Sequence, residues 1–155
     1  TPGHMCLYEH NQKLLLSGDH ILGKITPNIT AWDFETDVLG QYLQSLDKIA
    51  QLEIDTVLPG HRYLLTDCQG RIEELRKHHR ARLENVLDII GGATMNTTQV
   101  ASRMRWDLSF KQWEEFPWGQ KLFASGEAMS HLYHLTVKGD LEMSLENEIA
   151  WFRKK

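Results

Sequence analysis

Two apolar runs in this chain stop abruptly on ionisable side chains. Leu14-Leu15-Leu16-Ser17 ends at Gly18-Asp19-His20, and Thr56-Val57-Leu58 ends at Pro59-Gly60-His61. A carboxylate oxygen and a neutral imidazole nitrogen are both good ligands for Zn²⁺, Mn²⁺ or Fe²⁺, and a carboxylate can bridge two cations with its two oxygens. The small residue ahead of each polar one lets the chain turn sharply where a strand ends. Each tetrapeptide taken alone also suits a plain loop, an Asx turn in one case and a loop histidine in the other. Together they suggest a carboxylate and an imidazole delivered to the same edge of one sheet, because groups at the carboxyl ends of strands gather above a rigid support.

The elements that would position them are legible as periodicities. Residues 5–9 and 13–18 are short apolar runs around His10-Asn11-Gln12, the pattern of a hairpin with a tight turn. The second run is apolar on both faces, as in a strand covered by a layer on each side. Between Thr36 and Gln51, Leu39, Tyr42, Leu43, Leu46, Ile49 and Ala50 recur at steps of three and four and predict a helix. Residues 54–58 form a third strand. A second helix is expected over 70–90, with Ile72, Leu75, His79, Leu83, Val86, Leu87 and Ile90 on one stripe and Gly91-Gly92 as a left-handed cap. The order strand, helix, strand implies an α/β layered arrangement.

Beyond Gly92 the texture changes. A short helix over 99–105 precedes a stretch holding Trp106, Phe110, Trp113, Phe116 and Trp118. A long helix then runs to about Lys138, and LEMSL and EIAWF flank Glu146-Asn147 as a closing hairpin. Helices followed by a hairpin suit a small winged-helix module, so domains are expected at residues 1–92 and 93–155.

Composition narrows the function classes. The 155 residues are 41% hydrophobic and 25% charged, with a formal net charge of −4, which suits ordinary globular material with one good core and a small second one. Residues 93–155 carry eight acidic and eight basic side chains, so no polybasic nucleic-acid arm is present. No apolar run reaches the roughly 18 to 20 residues that cross a bilayer, and no signal layout is visible, so no membrane partner and a cytoplasmic location are expected. Cys6 and Cys68 stand far apart and suggest neither a disulfide framework nor a cysteine-rich metal knuckle.

The string TPGH-M-CLY (1–8), then LLLSGDHIL (14–22), then TVLPGH (56–61), in this order and at these distances, resembles the later half of the metallo-β-lactamase superfamily, the glyoxalase II-like hydrolases in particular. ITPNI (25–29), the helix after it, and RIEELRKHHRARLENVL (71–87) resemble the branch with a C-terminal winged-helix extension. The resemblance implies an α/β fold: the C-terminal half of an αββα sandwich, followed by a small winged-helix-like α+β module. It implies that Asp19 bridges two metal ions and that His61 is the last histidine ligand. Met5-Cys6-Leu7-Tyr8 follows His4 directly, so the register makes His4 the second, non-ligating histidine of this region, with a metal contact the lesser reading. The histidine-rich H-x-H-x-D-H loop of the family is absent from these residues, which leaves most of the ligand set outside them.

For the intact parent the resemblance implies metal-assisted hydrolysis, with zinc the expected ion and iron or manganese as alternatives. Two cations about 3.5–4 Å apart would hold a water and lower its pKa toward about 7. The expected partner is a small-molecule substrate, an ester, thioester, lactone or phosphodiester, and a homo-oligomer is left open. His20, beside Asp19, would line the substrate site or serve only the loop. His79 lies on an apolar stripe and suits a core histidine better than a substrate contact. Arg76, Lys77, Arg80 and Arg82 read as a solvated face with pairs such as Glu73–Lys77. The rival class is a nucleic-acid-binding or protein-interaction module, but the candidate recognition helix over 119–138 offers only Lys121 and Lys138 as fixed cations.

Overall fold

The computed structural model describes residues 3–107, 110 and 112–155. Thr1 and Pro2 of the TPGH string, and Leu108, Ser109 and Lys111 of the tryptophan-rich stretch, lie outside the described residues. The chain runs β1 (Leu7–Glu9), β2 (Leu14–Gly18), α1 (Val38–Ala50), β3 (Thr56–Pro59), α2 (Cys68–Ile90), β4 (Met95–Asn96), α3 (Thr97–Ala101), α4 (Trp118–Lys138), β5 (Leu141–Glu146) and β6 (Ile149–Lys154). Packing gathers it into two compact units, Thr1–Pro27 with Leu43–His79 and Asn28–Tyr42 with Arg80–Lys155. The expected division at 1–92 and 93–155 follows the chain. Compact packing instead assigns Asn28–Tyr42 and the stretch from Arg80 onward to the later unit, because Val86 and Ile90 share a cluster with Leu132 and Phe152.

The first unit is built on a three-stranded sheet in the order β1-β2-β3. β1 is antiparallel to β2, with Leu7 opposite Leu16 and Tyr8 opposite Leu15. β2 is parallel to β3, with Leu15 opposite Val57 and Leu16 opposite Leu58. Side chains alternate between faces along a strand, so Leu15 and Val57 are both buried on one face. Leu7, Leu16 and Leu58 form a row across all three strands on the other, where Leu7 is 58% and Leu16 44% exposed. The expectation that β2 is covered on both faces therefore holds on one side only within this chain.

α1 and α2 each begin on an aspartate. The Asp37 carboxylate accepts the Gly40 N–H at 2.8 Å and that of Asp67 accepts the Gly70 N–H at 2.8 Å. This satisfies backbone donors that have no partner inside the helix. Arg71, near the start of α2, donates to the carbonyls of Leu22 and Ile25 at 2.7 and 2.9 Å, which fixes the loop after the SGDH turn. Arg76 pairs with Asp47 and, at 3.5 Å, with Glu73. Glu73 thus has Arg76 as its cation, in place of the expected Lys77.

The second unit has a real core: Val86, Val100, Ala128, Leu132, Leu141 and Phe152 are all essentially without exposure. Its sheet is β4-β6-β5, with β5 and β6 joined through Asn147 and Glu148, both at positive φ. Two consecutive left-handed residues match the twist of the flanking strands. Two-residue β4, which no sequence pattern announced, pairs with β6 through Met95 and Asn96. Asn96 then caps α3 in a reciprocal capping box with Gln99, so this helix starts at Thr97, ahead of the expected 99. α4 ends on Gly139 at φ 89°, whose left-handed cap lets its own N–H and that of Asp140 close the last turn.

Arg82 departs from the solvated face expected for the basic stretch of α2. Its side chain is 15% exposed, its Nε donates to Glu127 Oε1 at 3.1 Å, and its guanidinium lies 4.4 Å from the centre of the Trp106 ring. Asn28 donates to the other oxygen of Glu127 at 3.2 Å. Burial pushes the Glu127 carboxyl above the usual carboxylate range, against the pull of Arg82. Periodicity alone hides such a residue, because an arginine on a polar helix face is buried only if an acid from a distant element comes to meet it. Among the described residues no helix is long and apolar enough to cross a membrane.

Candidate metal-binding rim

The parallel pairing of β2 and β3 brings the two sequence-predicted groups together. Gly18 lies opposite Pro59, with a register irregularity between Leu16 and Gly18, and the Gly60 N–H donates to the Gly18 carbonyl at 2.8 Å. Asp19 and His61 are therefore the next residues out at the same carboxyl-end rim. Asp19 Oδ1 lies 3.4 Å from His61 Nε2, with side chains 60% and 67% exposed. The pair faces solvent, and an exposed carboxylate–imidazole contact of this kind contributes no more than about 0.5 kcal/mol to the fold.

Gly60 makes the approach possible. A Cβ there would sit 3.1 Å from Asp19 Oδ1 and 3.3 Å from the Gly18 carbonyl carbon, closer than ordinary contact, so an added methyl would press on the carboxylate and the turn. The turn itself is fixed from within. The His20 N–H donates to the Ser17 carbonyl at 2.9 Å, and the buried Ser17 hydroxyl donates to the Ile21 carbonyl at 2.8 Å. The Cys6 thiol reaches the Ser17 carbonyl at 3.6 Å, and burial raises its pKa, which keeps it a protonated donor.

Of the other residues singled out, His4 lies on this rim: its Nε2 accepts the Asp19 backbone N–H at 3.2 Å. His20 is close by, its ring 6.1 Å from that of His4. Burial, with a smaller contribution from His4, pulls the His20 pKa down from 6.5 to about 4, so its ring is neutral at neutral pH. His79, named from the sequence as a core histidine or a substrate contact, is fully buried in this chain. The bond from His4 to Asp19 and the close approach of Gly60 were not read from the sequence; the glycines of SGDH and PGH were the only signal for them.

The donor chemistry suits a divalent cation in kind, since one carboxylate and one imidazole present oxygen and nitrogen to the same open space. In number it is incomplete. Among the described residues no group of three or more His, Cys, Asp or Glu side chains is arranged to hold a metal ion, and a tetrahedral ion needs four donors.

Residues 1–61 match the model of the metallo-beta-lactamase superfamily, the segment that carries His4, Asp19 and His61. The chain is 28% identical over 147 residues to a beta-lactamase-like protein 2 homolog of Drosophila melanogaster, covering 93% of this chain and 46% of that protein. It is 28% identical over 106 residues to a Bacillus subtilis protein named "Probable metallo-hydrolase YqjP", covering 65% and 33%. The crystal structure of a beta-lactamase domain protein from Burkholderia ambifaria superposes with a TM-score of 0.84 at 29% identity, over 97% of this chain and 44% of that one. The match over residues 1–61 and the likeness to these proteins support placing the chain with the metallo-beta-lactamase superfamily. It spans less than half the length of these relatives.

Proposed function

We propose that this chain is the part of a metal-dependent hydrolase, of the glyoxalase II-like kind, that supplies a carboxylate and the last histidine to a dinuclear site. The observation that carries the reading is the 3.4 Å approach of Asp19 Oδ1 to His61 Nε2 at the carboxyl ends of two parallel strands. Asp19 has a second oxygen to offer, which suits a bridging role, and His61 presents Nε2 on the same side. When bound, divalent ions supply Lewis acidity and lower the pKa of water toward about 7. The chain's own contribution is to hold one carboxylate and one imidazole at a fixed spacing on a rigid rim, and to leave them open to the remaining donors and to substrate. Zinc is the proposed ion, the substrate an ester, thioester, lactone or phosphodiester, and the setting cytoplasmic.

The order of the later unit, from the end of α2 through β4, α3, α4 and the β5–β6 hairpin with β4 on β6, suits a winged-helix module. Its charges argue against nucleic acid: α4 carries Lys121 and Lys138, and its Glu127 is committed to Arg82. The role proposed for it is structural.

The test is metal analysis and hydrolysis on the natural protein that carries this chain. Bound transition metal and hydrolytic activity, both lost in Asp19→Asn and His61→Gln, are expected; a metal-free active protein overturns the reading.

A further inference from the structure

The imidazole of His4 is placed where a metal ligand is easily imagined, yet its available nitrogen is already engaged. Nε2 accepts the backbone N–H of Asp19 at 3.2 Å. An imidazole nitrogen that accepts carries no proton, so the neutral ring holds its proton on Nδ1. The ring also occupies the space above Gly18: a Cβ on that residue would lie 2.7 Å from His4 Nε2 and 3.2 Å from Cε1. Gly18 has φ +52°, so glycine serves there twice, once for the left-handed turn and once for room. Across the turn, Gly60 grips the opposite side through its N–H on the Gly18 carbonyl at 2.8 Å.

We infer that His4 is a positioning residue: through Nε2 it holds the Asp19 amide, and with Gly60 on the other side it clamps the turn that aims the Asp19 carboxylate. Both grips, one on the Gly18 carbonyl and one on the Asp19 amide, hold the same planar peptide unit and so fix where the Asp19 Cα sits. The His20 N–H on the Ser17 carbonyl closes the turn beyond it, which sets the direction from which the carboxylate leaves the backbone. In functional terms this rests on Asp19 being a metal ligand, but the clamp itself is a property of the metal-free chain and is tested there.

The experiment compares the 155-residue chain with His4→Phe, which cannot accept, and His4→Gln, whose side-chain oxygen reaches about as far as Nε2. Long-range imidazole ¹H–¹⁵N spectra of the metal-free protein are expected to show His4 unprotonated at Nε2. Amide exchange at Asp19 is expected to quicken by roughly 3- to 10-fold in His4→Phe, the worth of one exposed hydrogen bond, and to return in His4→Gln. The Val57 and Leu65 amides, which bond each other's carbonyls at 2.8 and 3.1 Å, report whether the sheet survives. If they open in His4→Phe, His4→Asn, too short to reach, takes its place. In a Zn²⁺ titration of the natural protein that carries this chain, which brings the remaining donors, His4→Gln is expected to bind like wild type, while His4→Phe binds a few-fold more weakly.

A proton on Nε2, an Asp19 amide indifferent to His4→Phe, or His4→Gln losing zinc as fully as Asp19→Asn would overturn the inference. If Asp19→Asn binds zinc like wild type, the metal reading fails by itself, and the Asp19 amide still decides the role of His4.

Discussion

The two units use polar side chains in opposite ways. In the first, Asp19 and His61 meet at an exposed rim where glycines keep the backbone close and water surrounds both groups. In the second, Arg82 and Glu127 meet in a largely dry setting, with Asn28 on the free oxygen and Trp106 under the guanidinium. The distances are similar, 3.4 and 3.1 Å, and only the surroundings differ. A carboxylate that is to bind something must remain accessible and is worth little to the fold, whereas one sunk among helices is worth much to the fold and has nothing left to offer.

The sharpest way to break this contrast is to show that stability does not reside in the second unit. Phe152→Ala removes a wholly buried ring from the core cluster and is expected to cost about 3–5 kcal/mol in urea unfolding. Glu127→Ala leaves Arg82 buried without its acid and is expected to cost about 3 kcal/mol.

The same pair has a pH signature. The carboxyl of Glu127 titrates above its ordinary range in the folded chain, so the folded state holds the proton longer than the unfolded one. Its contribution to stability is then full below the ordinary carboxylate value and falls as pH rises through the shifted one. The stability difference between wild type and Glu127→Gln should accordingly shrink as pH rises from the ordinary carboxylate range through the shifted value in parallel denaturation curves; a difference that grows would reverse the sign.

Smaller effects sharpen the other side. Gly60→Ala forces a Cβ against Asp19 Oδ1 and the Gly18 backbone, with an expected stability loss of about 1 kcal/mol or less but a clear loss of Zn²⁺ binding by the natural protein that carries this chain, read by calorimetry. Asp19→Asn and His61→Gln should change unfolding free energy by no more than about 0.5 kcal/mol while abolishing that binding. A large stability loss in either would make the rim structural.

Much of this was legible in the residues. The leucine run, the glycines at 18 and 60, and the 3.6-residue stripe of α2 are local patterns, and local patterns follow from spacing alone. The meeting of Asp19 with His61 followed once both strands were placed in one sheet, because parallel strands end on the same side. What stayed hidden depends on distant partners. Arg82 looks like its basic neighbours until Glu127 arrives from α4. β4 is too short for any period to appear, and it exists because β6 offers Met95 and Asn96 a partner. The segment from Asn28 to Tyr42 carries no mark of joining the later unit; the Asn28–Glu127 bond at 3.2 Å, the Ala31 N–H on the Gly126 carbonyl at 3.0 Å and the His134–Asp37 contact at 2.9 Å reveal it.

The row of Leu7, Leu16 and Leu58 has a practical consequence at the bench. An oily strip crossing three strands, with β1 as an unprotected margin beside it, is a surface to which apolar dyes and other chains adhere. Handled by itself, the 155-residue polypeptide should brighten a hydrophobic fluorophore while fully folded and self-associate as its concentration rises, and replacing Leu7 and Leu16 with lysine and threonine should quiet both behaviours without loosening the buried Leu15 and Val57 beneath.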